Sequence, residues 1–209
     1  MLIRKEKTEK NGLLGIWEIT ESANDILAMM PLSLRLQSER HIATLHVQRR
    51  IMERLCVRLL LFLLLNEEKE IAYTAEGSPY LTDHSYQISI SHTNKYVAVL
   101  LHKTQRVGID IETISERINK VAHKFISDEE YIDAAQPSIH RLLHWSAKES
   151  LFKVTPEKEI DFRQHLFISS FTPETSGKMR ACITKLSPNK LLDVYYEVHE
   201  TYVLTWVIA

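Results

Sequence analysis

The chain has 209 residues, 44% of them apolar and 25% charged, enough for one large domain or two small ones with a sizeable core in either case. With 26 basic against 27 acidic residues the net charge is −1, so there is no global attraction to nucleic acid or to a membrane surface, and any anion site has to be local. The five glycines, at positions 12, 15, 77, 108 and 177, exclude a Walker loop and a Gly-rich dinucleotide fingerprint.

Met1 to Asn11 is crowded with Lys, Arg and Glu, and no apolar stretch follows this basic start. It does not read as a signal peptide, and the expected location is the cytoplasm. Leu14 to Thr20 alternates as a first strand. From about Ser33 to Leu65 the pattern is helical, with Leu55, Leu59 and Phe62 on one face, Met52, Cys56, Leu60 and Leu63 beside them, and arginines opposite. Its apolar run, Leu59 to Leu65, is far short of the roughly 20 residues a membrane span needs, and reads as a buried helix segment. Cys56 and Cys182 stand far apart, in no metal-ligand spacing, as reduced buried thiols would.

Between Gly77 and His102 the spacing becomes β-like. Gln87 to Ser91 alternates, and Tyr96 to Leu101 reads as a fully buried strand. Lys103-Thr104-Gln105-Arg106 is polar and separates two such runs, which sets a boundary between residues 1–104 and 105–209. A strand follows from Val107 to Glu112. Helix is expected from about Ile118 to Lys153, with Ser127 as N-cap and Glu130 completing a capping box. Leu166 to Ile208 returns to alternating, β-branched runs. Each half thus holds helix and strand, with the β material contiguous, which favours an α+β fold.

Two segments can carry chemistry. On a strand Val107-Gly108-Ile109-Asp110-Ile111-Glu112 places Asp110 and Glu112 on one face, about 6–7 Å apart along the chain. Both could reach a single hard cation, ligated at about 2.0–2.1 Å; the alternative is an edge strand with a solvated acidic face. In Trp145-Ser146-Ala147-Lys148-Glu149-Ser150-Leu151-Phe152-Lys153, a helix aligns Trp145, Glu149 and Lys153, with Lys148 and Phe152 on the adjoining face. Glu149 is then either a third carboxylate with Lys153 as a point charge for a phosphate, or half of a surface ion pair.

Taken together, G-I-D-I-E followed by W-S-x-K-E-S-x-x-K resembles the signature pair of the surfactin-type 4'-phosphopantetheinyl transferases. Lys124 to Tyr131 is similar to that family's F-x-S-x-x-E-Y stretch, Gly77-Ser78-Pro79-Tyr80 to its G-x-P segment, and Ile90-Ser91-His92-Thr93 to its I-S-H-[ST] segment. The resemblance implies Mg²⁺ ligands at Asp110, Glu112 and Glu149, and coenzyme A phosphates held by Ser91 and His92. It also implies Gly77 to Pro79 beside the adenine and Lys153 on the pyrophosphate. Arg49 takes the place of a 3'-phosphate arginine, with Arg50 or Arg54 as one-turn alternatives and Arg35 and Arg40 as further basic residues upstream.

The implied reaction moves phosphopantetheine from coenzyme A to a serine of an apo-acyl or peptidyl carrier protein, releasing 3',5'-ADP, with Glu149 as the base and Glu130 as a second candidate. The implied fold is a monomeric pseudo-dimer of two similar α+β halves, with coenzyme A in the cleft between them: the 3'-phosphate and adenine side in residues 1–104, the metal and catalytic carboxylates in 105–209. Neither nucleic acid nor membrane is an expected partner.

Two departures stand out: the first 40 residues carry no matching motif, and Val154 to Glu159 lacks the glycine usual after the last lysine. A non-catalytic module binding coenzyme A or a carrier protein is the rival reading, and an Mg²⁺-dependent nucleotide pyrophosphatase a weaker one. His140 and His144, one turn apart, could serve a zinc ion but lack a third ligand, and read as a partly exposed helix face.

Overall fold

A computed structural model describes residues 1–157 and 159–209; Lys158, in the glycine-free stretch after Lys153, lies outside them. The fold is α+β, and the chain divides into two compact units, Met1–Thr104 and Gln105–Ala209. Among the described residues no helix is long and apolar enough to cross a membrane.

In the first unit, strands β1 (Leu2–Lys7) and β2 (Leu13–Glu18) precede helices α1 (Ala23–Ala28), α2 (Leu32–Ile42) and α3 (Gln48–Leu65). A two-stranded hairpin, β3 (Ile71–Tyr73) and β4 (Pro79–Leu81), follows, and then β5 (Gln87–His92) and β6 (Tyr96–His102). The antiparallel sheet runs β1-β2-β6-β5. Strand β1 carries no apolar face and escapes a pattern search; as an edge strand it needs only main-chain pairing to β2, and its charges suit solvent. The core gathers Leu55, Leu59 and Leu60 of α3 with Trp17, Val97 and Val99 of the sheet.

The arginine side of α3 is not wholly solvated. Glu53 and Arg58 are buried: Glu53 lies under Arg49 and His92 of β5, and Arg58 against Gln37 and His41 of α2 and Ile71 and Tyr73 of β3. Cys56 is a buried free thiol, and burial pushes it up to about 12. Cys182, expected to be buried, is only half so.

The second unit begins with β7 (Val107–Thr113) and a single turn, α4 (Ile118–Val121). Helix α5 (Pro137–Val154), one turn α6 (Phe162–His165), and strands β8 (Leu166–Ile168), β9 (Ser176–Ile183), β10 (Lys190–Val198) and β11 (Tyr202–Ile208) complete it. The antiparallel sheet runs β7-β11-β10-β9-β8. Leu143, Ala147 and Leu151 of α5 pack with Val203, Val207, Val194 and Ala181 to form its core.

The expected helix over 118–153 is therefore interrupted. Residues 125–136 are irregular, and α5 starts at Pro137, whose missing N–H costs nothing at a first helical position. The Ser127–Glu130 box forms by half: Glu130 Oε2 accepts the Ser127 N–H at 2.8 Å, but no helix follows. The reciprocal box sits at Ser22 and Asp25, opening α1.

Candidate active site

Strand β7 lies at the sheet edge, paired on one side with β11, yet its acidic face is not solvated. Asp110 is 4% exposed, and Gly108, Asp110 and Glu112 turn toward α5. Gly108 permits this. A Cβ at that position would stand 2.0 Å from the main-chain oxygen of Ser150, so only glycine allows strand and helix backbones this close.

Small polar residues finish the seam. Ser146 Oγ and Ser150 Oγ lie 2.9 and 2.8 Å from Thr205 Oγ1 on β11, directly across from Asp110 in register. Ser150 Oγ also donates to the Thr205 carbonyl at 3.1 Å.

On this seam the two motifs meet. Lys153 Nζ donates to the Ile109 carbonyl at 2.6 Å and to Asp110 Oδ1 at 3.1 Å. Trp145 Nε1 donates to Glu112 Oε1 at 2.8 Å, so the indole braces the strand carboxylate across the seam as well as packing edge-on against Phe125 at 5.1 Å. Burial, then the charge of Asp110, pushes the Glu112 carboxyl up to about 7, with Glu149 adding to the shift and Trp145 and Lys153 opposing it. Burial and Asp110 likewise raise Glu149, against the pull of Lys153.

Three carboxylates thus repel one another in a half-buried setting. An all-oxygen, mutually repelling set suits a hard divalent cation that also keeps water or phosphate oxygens. The set is not gathered in advance: among the described residues no three His, Cys, Asp or Glu side chains stand close enough to hold a metal ion. Two of the three carboxylates are instead engaged by Trp145 and Lys153.

Behind the seam lies a buried ionic cluster that the spacing does not foretell. Lys148, 0% exposed, donates to Glu130 Oε2 and to the Phe125 carbonyl, both at 2.6 Å, and to the Phe162 carbonyl at 3.1 Å. Glu130 Oε1 accepts the Ile168 N–H at 2.8 Å and lies 3.4 Å from His144 Nδ1. Burial works to raise Glu130, but His144 and Lys148 outweigh it and the carboxyl falls below its ordinary value; burial lowers Lys148, with Glu130 opposing.

The Glu130 carboxylate is enclosed and engaged by Lys148, Ser127 and Ile168, which does not suit the base role expected of it. His140 and His144 are buried as well, not on an exposed face, packed against Phe171 at 4.3 and 5.9 Å.

In the first unit Glu53 draws two of the expected residues together. Its Oε1 is 2.8 Å from Arg49 Nε and 3.2 Å from His92 Nδ1, while Arg49 Nη1 donates to Asn94 Oδ1 at 2.9 Å. Glu53 is buried, whereas the Arg49 and His92 side chains are 61% and 40% exposed. Arg49 and His92 thus share Glu53 as a common neighbour. Ser91 is buried in β5. Gly77 and Ser78 form the loop of the β3–β4 hairpin and Pro79 begins β4; Gly77 has φ +87°, with open space where a Cβ would be. Arg35 pairs with Glu39 at 3.0 Å, and Arg40 Nε donates to the Leu36 carbonyl at 3.2 Å.

Glu53, the Gly108 contact and the Lys148 peg lie outside the expected set. Only Gly108 had a signal in the sequence, as a lone glycine inside a strand pattern, which marks a close backbone approach.

Residues 106–207, nearly the whole of the second unit, match the family model of the 4'-phosphopantetheinyl transferase superfamily (ACPS). That superfamily is one of transferases, with coenzyme A as substrate. No curated protein matches the chain.

Proposed function

We propose that this protein is a surfactin-type 4'-phosphopantetheinyl transferase of the holo-acyl carrier protein synthase kind, moving phosphopantetheine from coenzyme A to a serine of an apo-carrier protein with Mg²⁺. The observation that supports it most is the meeting of the two motifs on one seam: Lys153 Nζ stands 3.1 Å from Asp110 Oδ1, inside the stretch that matches the transferase model.

Asp110, Glu112 and Glu149 would hold the Mg²⁺, which when bound supplies positive charge to the pyrophosphate and its departing oxygen. Lys153 is fixed by the Ile109 carbonyl and Asp110, and places an ammonium for a phosphate oxygen without needing to reorganise. The serine oxygen bonds to the β-phosphorus, the bridging P–O bond breaks, and 3',5'-ADP leaves. Glu149, or a metal-bound water that it would orient, is the candidate base for the serine proton.

In the same reading the first unit binds the 3'-phosphate through Arg49 and His92 with Ser91 beside them, and the adenine beside Gly77, Ser78 and Pro79. The second unit carries the metal and the chemistry. The protein acts as a cytoplasmic monomer.

The test is the intact mass of an apo-acyl carrier protein after incubation with the protein, coenzyme A and Mg²⁺. A gain of about 340 Da, lost with EDTA and with Glu149→Gln, is the expected result. No gain across several carrier classes, with coenzyme A still bound, would instead favour the binding module. Release of 3',5'-ADP without any carrier would favour the pyrophosphatase.

A further inference from the structure

Glu53 has no part in the chemistry of the seam, yet it occupies an expensive position. It is 7% exposed on α3 beside the buried Met52, Leu55, Cys56 and Val57, where an apolar residue would be far cheaper to desolvate. A single oxygen, Oε1, stands 2.8 Å from Arg49 Nε, one turn back along the helix, and 3.2 Å from His92 Nδ1 at the end of β5. Helix and strand are thus tied through one atom.

Arg49 is held a second time. Its Nη1 donates to Asn94 Oδ1 at 2.9 Å, in the turn between β5 and β6. That turn is itself ordered. Thr93 Oγ1 accepts the N–H groups of Lys95 and Tyr96 at 3.1 and 3.0 Å, and the Thr93 N–H donates to the Tyr96 carbonyl at 2.8 Å. A guanidinium on a side chain that is 61% exposed would ordinarily sample many rotamers, and losing that freedom opposes any binding that needs one of them. Here two of its three nitrogens are fixed in advance, and Nη2 is carried with them.

We propose that Glu53 is a positioning residue for the 3'-phosphate of coenzyme A, acting through Arg49 and His92 rather than on the phosphate itself. The proposal rests on the reading in which those two side chains meet that phosphate.

Charge alone predicts the reverse. A carboxylate beneath the two side chains repels a phosphate, so removing it would tighten binding if Glu53 contributed only its field. A loss of affinity on its removal therefore isolates orientation.

Calorimetry of the full chain with coenzyme A and with 3'-dephospho-coenzyme A, which differ only in that phosphate, supplies the test. In the wild type the 3'-phosphate should tighten binding at least tenfold. Glu53→Leu should cut that ratio at least fivefold while the Kd for dephospho-coenzyme A stays within twofold. A general loosening of the fold would weaken both ligands alike and leave the ratio unmoved. Glu53→Gln, whose amide oxygen can still accept from His92, should keep part of the ratio. Asn94→Ala, which releases only Nη1 of Arg49, should lose part of it.

A ratio that is unchanged or larger in Glu53→Leu and Glu53→Gln would overturn the proposal. Equal affinity of the wild type for the two ligands is a different failure: it would take the phosphate away from Arg49 and His92, and the proposal would fall with that reading. Should Glu53→Leu not fold, Glu53→Gln and Asn94→Ala, the latter at an exposed turn, carry the same comparison.

Discussion

Each unit contains a buried glutamate flanked by a histidine and a longer cation, and the two clusters are built to opposite ends. Glu53 is 2.8 Å from Arg49 and 3.2 Å from His92, both of which reach solvent. Glu130 is 2.6 Å from Lys148 and 3.4 Å from His144, and none of the three does. In the first case the carboxylate sits beneath an exposed guanidinium and a half-exposed imidazole. In the second, every donor of the lysine is directed at a protein oxygen, so the cluster can only fasten α5 to the segments at 125–130 and 162–168. Similar composition thus yields a solvent-facing cluster in one unit and a fixed peg in the other, and exposure makes the difference.

The comparison can be broken at its strongest point by Lys148→Met. This leaves the Glu130 charge buried without its partner and should cost about 3–5 kcal/mol in urea unfolding. Glu130→Gln added to it should recover part of that loss, because the orphaned charge is then gone. An unchanged midpoint in the single variant would mean the peg bears no load.

Gly108→Ala tests the rigidity of the same unit. Its Cβ would meet main-chain oxygen rather than a pliable side chain, so α5 must move, at a stability loss of about 1–3 kcal/mol. Carrier modification should fall by more than tenfold, since Lys153 and Glu149 move with the helix.

Acid sharpens the contrast further. His140 Nδ1 accepts the Asp133 N–H at 2.8 Å, which requires the neutral ring, and burial together with His144 pushes it down to about 4, against the opposing charge of Asp133. Tyr131 and Phe171 complete its surroundings, with Glu130 and Lys148 beyond His144. Between pH 6.5 and 4 the unfolded chain takes up a proton that the folded chain refuses. Stability should therefore be complete above this window and fall as the pH drops through it, by on the order of 1–3 kcal/mol. His140→Asn, which cannot titrate but can accept the same N–H, should flatten the profile.

The smallest effect on stability is expected from Arg49→Ala. The Arg49 guanidinium is mostly exposed and His92 stays beside the buried Glu53, so the unfolding midpoint should reflect a loss of only about 1 kcal/mol while the Kd for coenzyme A rises several-fold by calorimetry.

Much of the fold was legible because its signals are local. The period-2 alternation of Gln87 to Ser91 and the helical spacing of α3 each follow from which face meets the core. Strand β1 was not legible, since an edge strand is specified by the main chain of its neighbour. The break at 125–136 was missed although Pro137 marks its end, and the engagement of Glu130 with Lys148 and of Asp133 with His140 holds the segment irregular. At the seam, the residues with chemistry could be read from motif spacing. Their partners could not, because Trp145 reaches Glu112 and Lys153 reaches Asp110 only after strand and helix pack. Lys148 was read only as sharing a face with Phe152, and nothing in the spacing marks it as the most enclosed charge in its helix.

The indole of Trp145 has one more use. Its N–H points at a carboxylate proposed to hold the metal, so its emission depends on what that carboxylate is doing. With Trp17 and Trp206 replaced by phenylalanine, the chain would carry a single built-in fluorophore at the seam, and titrating Mg²⁺ in the presence of coenzyme A could be followed by eye of the spectrometer alone, with no label attached.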